Sequence, residues 1–249
     1  MTPALDESGP GDHAGGADAL AARLADLDER IADAARSAGR APAEITRIVV
    51  TKFHPASLVE RLHALGVRDV GENRQQELTA KRTTLPPLDG LRWHFIGQLQ
   101  SKKARAVRAA ADVVHSVDRD RVADALHAAD PDGASLDVLV QINLTDDPAR
   151  GGAAPADAGR LAEHVAAHCP SLRLRGVMAV APLAVAPLAE APAAAFARLH
   201  DAGAAVRRVV PDASWISAGM SGDFVEAIAA GATHLRIGTA ITGPRPLRG

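Results

Sequence analysis

A chain of 249 residues with 47 % hydrophobic residues and a formal charge of −2 is long enough for one large α/β domain with a sizeable core. The charge is spread without a basic stripe, which argues against nucleic-acid binding by phosphate neutralisation, and no run of eighteen apolar residues suggests a membrane span. The single cysteine, Cys169, rules out an internal disulfide and has no second thiol beside it for a metal site, so a reducing cytoplasm is expected and no metal ligands are assigned.

Residues 1–16, "MTPALDESGPGDHAGG", carry acids and no apolar stretch, so they read as a disordered tail and not a signal peptide, leaving 17–249 as one domain. Leu20, Leu24, Leu27 and Ile31 recur at helical spacing between Ala17 and Arg40, with Asp18 available as a cap and Gly39 as the stop. Eight apolar segments then alternate with helical ones: "IVVTK", "RDVGE", "RWHFIG", "DVVHSV", "LDVLVQINL", "LRLRGVM", "SWISAG" and "HLRIG". Strands alternating with helices pair in parallel through right-handed crossovers. Eight such units predict an α/β fold, a single (β/α)8 TIM-like barrel with an additional N-terminal helix; an open doubly wound sheet is the alternative. The Ala/Pro-rich stretch "APLAVAPLAEAPAAAF" reads as a loop after the sixth strand, leading to a helix that starts near Pro192.

Only four lysines, Lys52, Lys81, Lys102 and Lys103, stand among two dozen arginines, and Lys52 ends the apolar run "IVVTK". A lysine kept at the carboxyl end of a strand suggests imine formation, since only an amine that can lose its proton attacks a carbonyl. Against that stands a side chain that merely reaches from the rim to water. At the other end of the chain, "SWISAGMSGDF" and "HLRIGTAITG" follow the seventh and eighth strands, whose loops commonly build a phosphate site. Ser221 is placed to cap a helix running through Phe224 and Ile228 to Gly231, Gly219 and Gly222 let the backbone come close, and Gly238 and Thr239 offer a second approach. An ordinary glycine-rich turn with a helix cap is the plainer reading. Lysine and cradle become neighbours when a barrel closes, and together they imply a phosphorylated aldehyde or ketone. Arg236, on the strand that delivers Gly238, either faces that ligand or makes a rim salt bridge.

The segments "VTKFHPA", "GENRQQE", "WHFIGQLQSKKA", "HSVD", "VLVQINL", "LRLRGVMAVAP" and "SAGMSGDFVEAIAAGATHLRIGTAITG" run in order from Ile48 to Gly243. In them the chain resembles the pyridoxal 5′-phosphate homeostasis proteins, single-domain relatives of the alanine racemase amino-terminal barrel. The resemblance implies that Lys52 holds pyridoxal 5′-phosphate through an imine and that Ser221, Gly238 and Thr239 bind its phosphate, with Ser217 also within reach. It implies that Arg236 faces the pyridine nitrogen, where a donor disfavours ring protonation, and that Asn73, His94 and Met178 line the pocket. Arg74 departs from the aromatic residue frequent after "GEN", and Lys102 from the asparagine frequent in "QSKK". Lys102, Lys103, Arg105 and Arg108 read as a basic helix face, either solvated surface or a docking patch.

Racemisation needs a second base opposite the lysine, which alanine racemase takes from a tyrosine of its second domain. This chain has no tyrosine, and it ends six residues after "ITG", so that domain is expected to be missing and no catalytic residue is assigned. The expected function is storage, buffering or delivery of pyridoxal phosphate for intracellular vitamin B6 homeostasis, by a monomer that hands its cofactor to apo pyridoxal-phosphate enzymes. The alternatives are a pyridoxal-phosphate enzyme acting on an amino acid, with His94 or a rim residue as the acid, and a Schiff-base aldolase of sugar phosphates.

Overall fold

The computed structural model describes residues 12–145, 147, 150–181 and 191–243. Eight strands, β1 (Thr46–Val50), β2 (Asp69–Glu72), β3 (Arg92–Phe95), β4 (Val113–Val117), β5 (Leu136–Gln141), β6 (Leu172–Met178), β7 (Trp215–Ser217) and β8 (His234–Ile237), pair in chain order. All pairs are parallel and β8 closes on β1, with Ile48 opposite Arg236 and Val49 opposite Ile237. Each apolar segment picked out in the sequence is thus a strand, and the barrel is closed. Helices α2 (Ala56–Ala64), α3 (Gln75–Thr84), α4 (Ala104–Arg108), α5 (Asp120–Ala129), α6 (Ala158–His168), α7 (Pro192–Val209) and α8 (Phe224–Ala229) carry the crossovers. A single helical turn, α9 (Thr239–Thr242), follows β8.

The period-two alternation of strand residues sorts the core into two parts. Val49, Trp93, Phe95, Val114, Leu235 and Ile237 belong to the large outer cluster, packed under the helices. Val113, Leu139 and Met178 form a separate inner cluster with Trp215 against it. The remaining inward positions include polar residues that are almost fully buried: His94, His115, Ser217 and Arg236.

The opening helix, α1 (Asp12–Ser37), buries Leu20, Leu24, Leu27 and Ile31 and packs on α8 and α9. Arg23 Nε donates to the Ile241 carbonyl at 2.6 Å, tying this helix to the turn after β8. The helix begins before Ala17, so Asp18 lies inside it and is not its cap; residues 1–11 of the expected tail lie outside the described residues. Gly39 does end it, with Arg40 N–H bonded to the Ala35 carbonyl at 2.9 Å. Helix α7 starts at Pro192 as predicted, while 182–190 of the Ala/Pro-rich loop lie outside the described residues.

The basic face reads differently in the structure. Arg108 is buried, with Nη2 donating to the Ala134 carbonyl at 3.0 Å. It falls on the inner side of α4, three residues after exposed Arg105, because the helix is only five residues long and Val107 and Arg108 both turn inward.

Candidate functional site

Strand β1 ends at Val50, and the turn that follows brings Lys52 to the wall of a cavity of ≈ 440 Å³ at the carboxyl-terminal mouth of the barrel. The next residue, Phe53, has φ 69°, the one positive value at a non-glycine position among the described residues. Such a conformation costs about 1–3 kcal/mol for a residue with a bulky side chain and persists only where its surroundings impose it. Here Phe53 N–H donates to Glu77 Oε2 at 2.9 Å, and the Arg74 guanidinium lies 5.1 Å from the Phe53 ring centroid. Two residues earlier, Thr51 Oγ1 donates to Glu72 Oε1 at 2.6 Å, and Lys81 Nζ bridges that same oxygen at 2.5 Å and the Thr51 carbonyl at 2.8 Å. Burial raises the Glu72 carboxyl above its usual range, and the Lys81 ammonium opposes the shift. Lys81 is therefore a buried brace under the Lys52 turn. Lys102 and Lys103 lie in the 3₁₀ turn Ser101–Lys103, off the cavity, so Lys52 is the one lysine on its wall.

The register of β1 on β8 sets what faces Lys52. Val50 stands level with Gly238, which opens α9, and a Cβ on Gly238 would meet Val50 Cβ at 3.5 Å. By position, the amides of Thr239 and Ala240 have no acceptor within that turn, the arrangement that attracts a phosphate. From the other side comes the loop after β7. Gly219 there has φ +91°, and a Cβ would approach Ala227 Cβ to 2.8 Å and Leu235 Cδ2 to 3.0 Å, so the loop folds this tightly only with glycine. Ser221 lies on the cavity wall but does not cap α8. Asp223 occupies that position, and its Oδ1 accepts from Met220 N–H at 2.6 Å, tightening the turn that carries Ser221. Asn73 reaches the wall because the backbones of the loops after β2 and β3 touch: a Cβ on Gly97 would sit 1.9 Å from the Asn73 carbonyl oxygen.

Arg236 forms part of the cavity floor. Nη1 donates to Ser217 Oγ at 2.8 Å and Nη2 to the Ala179 carbonyl at 2.7 Å. Burial lowers its pKa to about 10, which leaves it a cation at neutral pH. Beneath it the bonds continue: Ser217 Oγ to His115 Nδ1 at 3.0 Å, His115 Nε2 to His94 Nδ1 at 2.9 Å, and His94 Nε2 to Asp69 Oδ1 at 2.8 Å. Donor and acceptor rules give this chain one direction. A carboxylate only accepts, so His94 donates from Nε2 and accepts at Nδ1; His115 then donates from Nε2 and accepts the Ser217 hydroxyl proton. Both imidazoles are neutral, and burial holds their pKa values below the ordinary range, His115 well below. Burial works against ionisation of Asp69, but the His94 bond and the Arg92 guanidinium at 2.7 Å hold its carboxyl below the usual range. A buried cation at the cavity floor is thus joined by aligned dipoles to an anion at the far end of the barrel.

The structure brings Lys52, Asn73, Ser221, Arg236, Gly238 and Thr239 together around one cavity. It does not bring His94, Met178 or Ser217 to that wall: the two polar residues lie below it in the hydrogen-bonded chain, and Met178 fills the inner apolar cluster. His54, Ile96 and Met220 also line the cavity and were not assigned from the sequence, although each sits inside a quoted motif. Burial, with the charge of Lys81 adding to it, lowers the His54 pKa and favours the neutral imidazole.

A closed parallel barrel with Lys52 after its first strand and the Ser221 and Thr239 loops after its last two invites comparison with known barrel domains. The profile of the alanine racemase amino-terminal domain family matches residues 22–246. An alanine racemase from Corynebacterium glutamicum shares the fold with a TM-score of 0.65 at 19 % identity, over 93 % of this chain and 62 % of that one. The chain belongs to the pyridoxal phosphate homeostasis protein family. It is 41 % identical to the pyridoxal phosphate homeostasis protein of Pseudomonas aeruginosa, over 91 % of this chain and 96 % of that one. The structure of PipY from Synechococcus elongatus with pyridoxal phosphate bound is similar at a TM-score of 0.73 and 34 % identity, covering 90 % of this chain and all of that one.

Proposed function

We propose that this chain carries pyridoxal 5′-phosphate on Lys52 and maintains its supply by storing, buffering or delivering it, without turning over a substrate. The observation that carries the reading is the convergence of Lys52, the Ser221 and Thr239 loops and buried Arg236 on one cavity. When bound, pyridoxal phosphate supplies an aldehyde that condenses reversibly with an amine. Lys52 offers the amine, and Ser221, Gly238 and Thr239 bind the phosphate. Arg236 donates to the ring nitrogen, while Asn73 bounds one wall. His94 and Ser217 act from beneath by fixing Arg236, and Met178 shapes the floor from below. A cation with both terminal nitrogens held in place keeps the ring nitrogen unprotonated and so weakens the ring as an electron sink. That favours holding the cofactor over using it.

Moving an α-proton from one face of a bound amino acid to the other takes two positioned groups, each contributing about 10²–10⁴ in rate. The chain has no tyrosine, and His94 is buried with both ring nitrogens engaged, so it offers no acid to the cavity. L-Alanine incubated with the loaded protein should therefore yield D-alanine no faster than with free pyridoxal phosphate. In the same solution an apo pyridoxal-phosphate enzyme should be reactivated. A D-alanine rate far above the free-cofactor control and absent in Lys52→Ala would establish an enzyme instead.

Charge-assisted hydrogen bonds to a phosphate contribute about 1.5–3 kcal/mol each. Thr239→Val or Ser221→Ala should weaken pyridoxal phosphate binding by roughly tenfold or more, since about 1.4 kcal/mol is a factor of ten, and leave unphosphorylated pyridoxal nearly unaffected. Equal losses for both ligands would remove these residues from the phosphate site. Apo enzymes as recipients, a monomeric state, a cytoplasmic location and a single working domain over 17–249 complete the proposal. The location rests on the free Cys169, which suits a reducing compartment.

A further inference from the structure

The outer helical layer holds a second cluster of ligating side chains, none of which lines the cofactor cavity. Asp120 and Asp124 stand one turn apart on α5, and His164 lies on the facing side of α6, whose C-cap is Cys169. His164 Nε2 is 2.7 Å from Asp124 Oδ1, and the Cys169 thiol points at the same oxygen at 3.8 Å. One donor atom from each of Asp124, His164 and Cys169 lies within 4.8 Å of the others. We propose that Asp124, His164 and Cys169 form a binding site for a divalent transition-metal ion of borderline softness, Zn²⁺ above all, with solvent as the fourth ligand.

The geometry needs little adjustment. Zinc bonds of about 2.0–2.3 Å to oxygen, nitrogen and sulfur place tetrahedral ligand atoms about 3.3–3.8 Å apart. The observed pairs bracket that spacing, and exposed Asp124 can swing by side-chain rotation to open the contact with partly buried His164. A carboxylate also stands behind the ring: His164 Nδ1 lies 4.0 Å from Asp120 Oδ2, within reach of a hydrogen bond after a small rotation, and Arg160 holds Asp120 through contacts of 3.0 and 2.9 Å. A carboxylate behind the imidazole is the usual outer support of a metal-bound histidine, fixing its tautomer. Thiolate, imidazole and carboxylate together select zinc over calcium or magnesium, which take oxygen ligands. Without metal, burial and the facing Asp124 carboxylate raise the Cys169 thiol to a pKa of about 11. Coordination therefore displaces the Cys169 thiol proton to solvent.

Cobalt(II) reports the site directly, because tetrahedral coordination gives absorbance in the red, clear of a yellow pyridoxal phosphate chromophore. Full-length protein loaded with its cofactor should bind one Co²⁺ per chain with that signature, and Zn²⁺ should displace it. His164→Gln and Cys169→Ala should each weaken Zn²⁺ binding at least tenfold, with cofactor content unchanged; His164→Gln alters a partly exposed side chain and so keeps the test valid if Cys169→Ala folds poorly. No tetrahedral signal at stoichiometric Co²⁺, or full affinity retained in His164→Gln, would overturn the site.

Discussion

Stability should fall steeply once the pH drops below about 6.5, well before the carboxylates titrate. The cause is three almost fully buried histidines, His94, His115 and His234, each neutral in the folded barrel. Burial lowers all three pKa values, that of His234 to about 3 and that of His115 well below 6.5. The unfolded chain takes up protons near 6.5 and the folded chain does not. Stability is therefore complete above pH 6.5 and is lost as the pH falls from there toward the depressed folded values. His115 and His234 each contribute a slope of up to about 1.4 kcal/mol per pH unit, so the two remove up to about 3 kcal/mol per unit, and His94 adds in the same direction, against a typical total of about 5–15 kcal/mol. Urea midpoints measured between pH 8 and 5 should show this slope, and His115→Gln should make it shallower. A flat profile across that range would mean that these imidazoles are already charged in the folded state.

The second large effect belongs to Lys52. Lys52→Ala removes the one amine on the cavity wall while leaving the phosphate loops and Arg236 in place. Binding of pyridoxal phosphate should weaken by about a hundredfold or more, corresponding to ~3 kcal/mol. The yellow colour should be lost, while a non-aldehyde analogue such as pyridoxine phosphate should bind both forms alike. Lys81→Ala should behave differently. It breaks the pair with Glu72, leaves a buried carboxyl without its cation and costs about 3–5 kcal/mol of stability, yet it keeps the aldehyde-reactive amine.

The barrel was legible because most strands are short apolar runs with β-branched residues and each crossover has helical spacing; the length and β-branched content of "DVVHSV" and "LDVLVQINL" favour strand over buried helix. Barrel closure then made Lys52 and Gly238 neighbours, an inference that needs only the count of eight. Local placement was harder. Ser221 read as a cap because serine favours that position, but Asp223 stands directly before Phe224 and accepts from Met220, so the serine is left on the turn. The chain from Arg236 to Asp69 joins positions on five different strands, and no spacing along the sequence reveals it. The available signal was a histidine at an inward position of a buried strand, in "WHFIG" and again in "VVHSV", where a polar side chain requires a partner. The left-handed Phe53 gave no signal, because its strain is imposed by Glu77 and Arg74 from the next crossover. Cys169 read as isolated because its prospective co-ligands lie on a neighbouring turn and on another helix.

The most direct measurement is borohydride reduction of the protein loaded with pyridoxal phosphate, followed by peptide mapping of the pyridoxyl group. The four lysines have distinct settings: Lys52 on the cavity wall, Lys81 buried against Glu72, and Lys102 and Lys103 in the 3₁₀ turn before α4. One label per chain is expected, on the peptide containing Lys52. Recovery of the label chiefly on Lys81, Lys102 or Lys103 would contradict it.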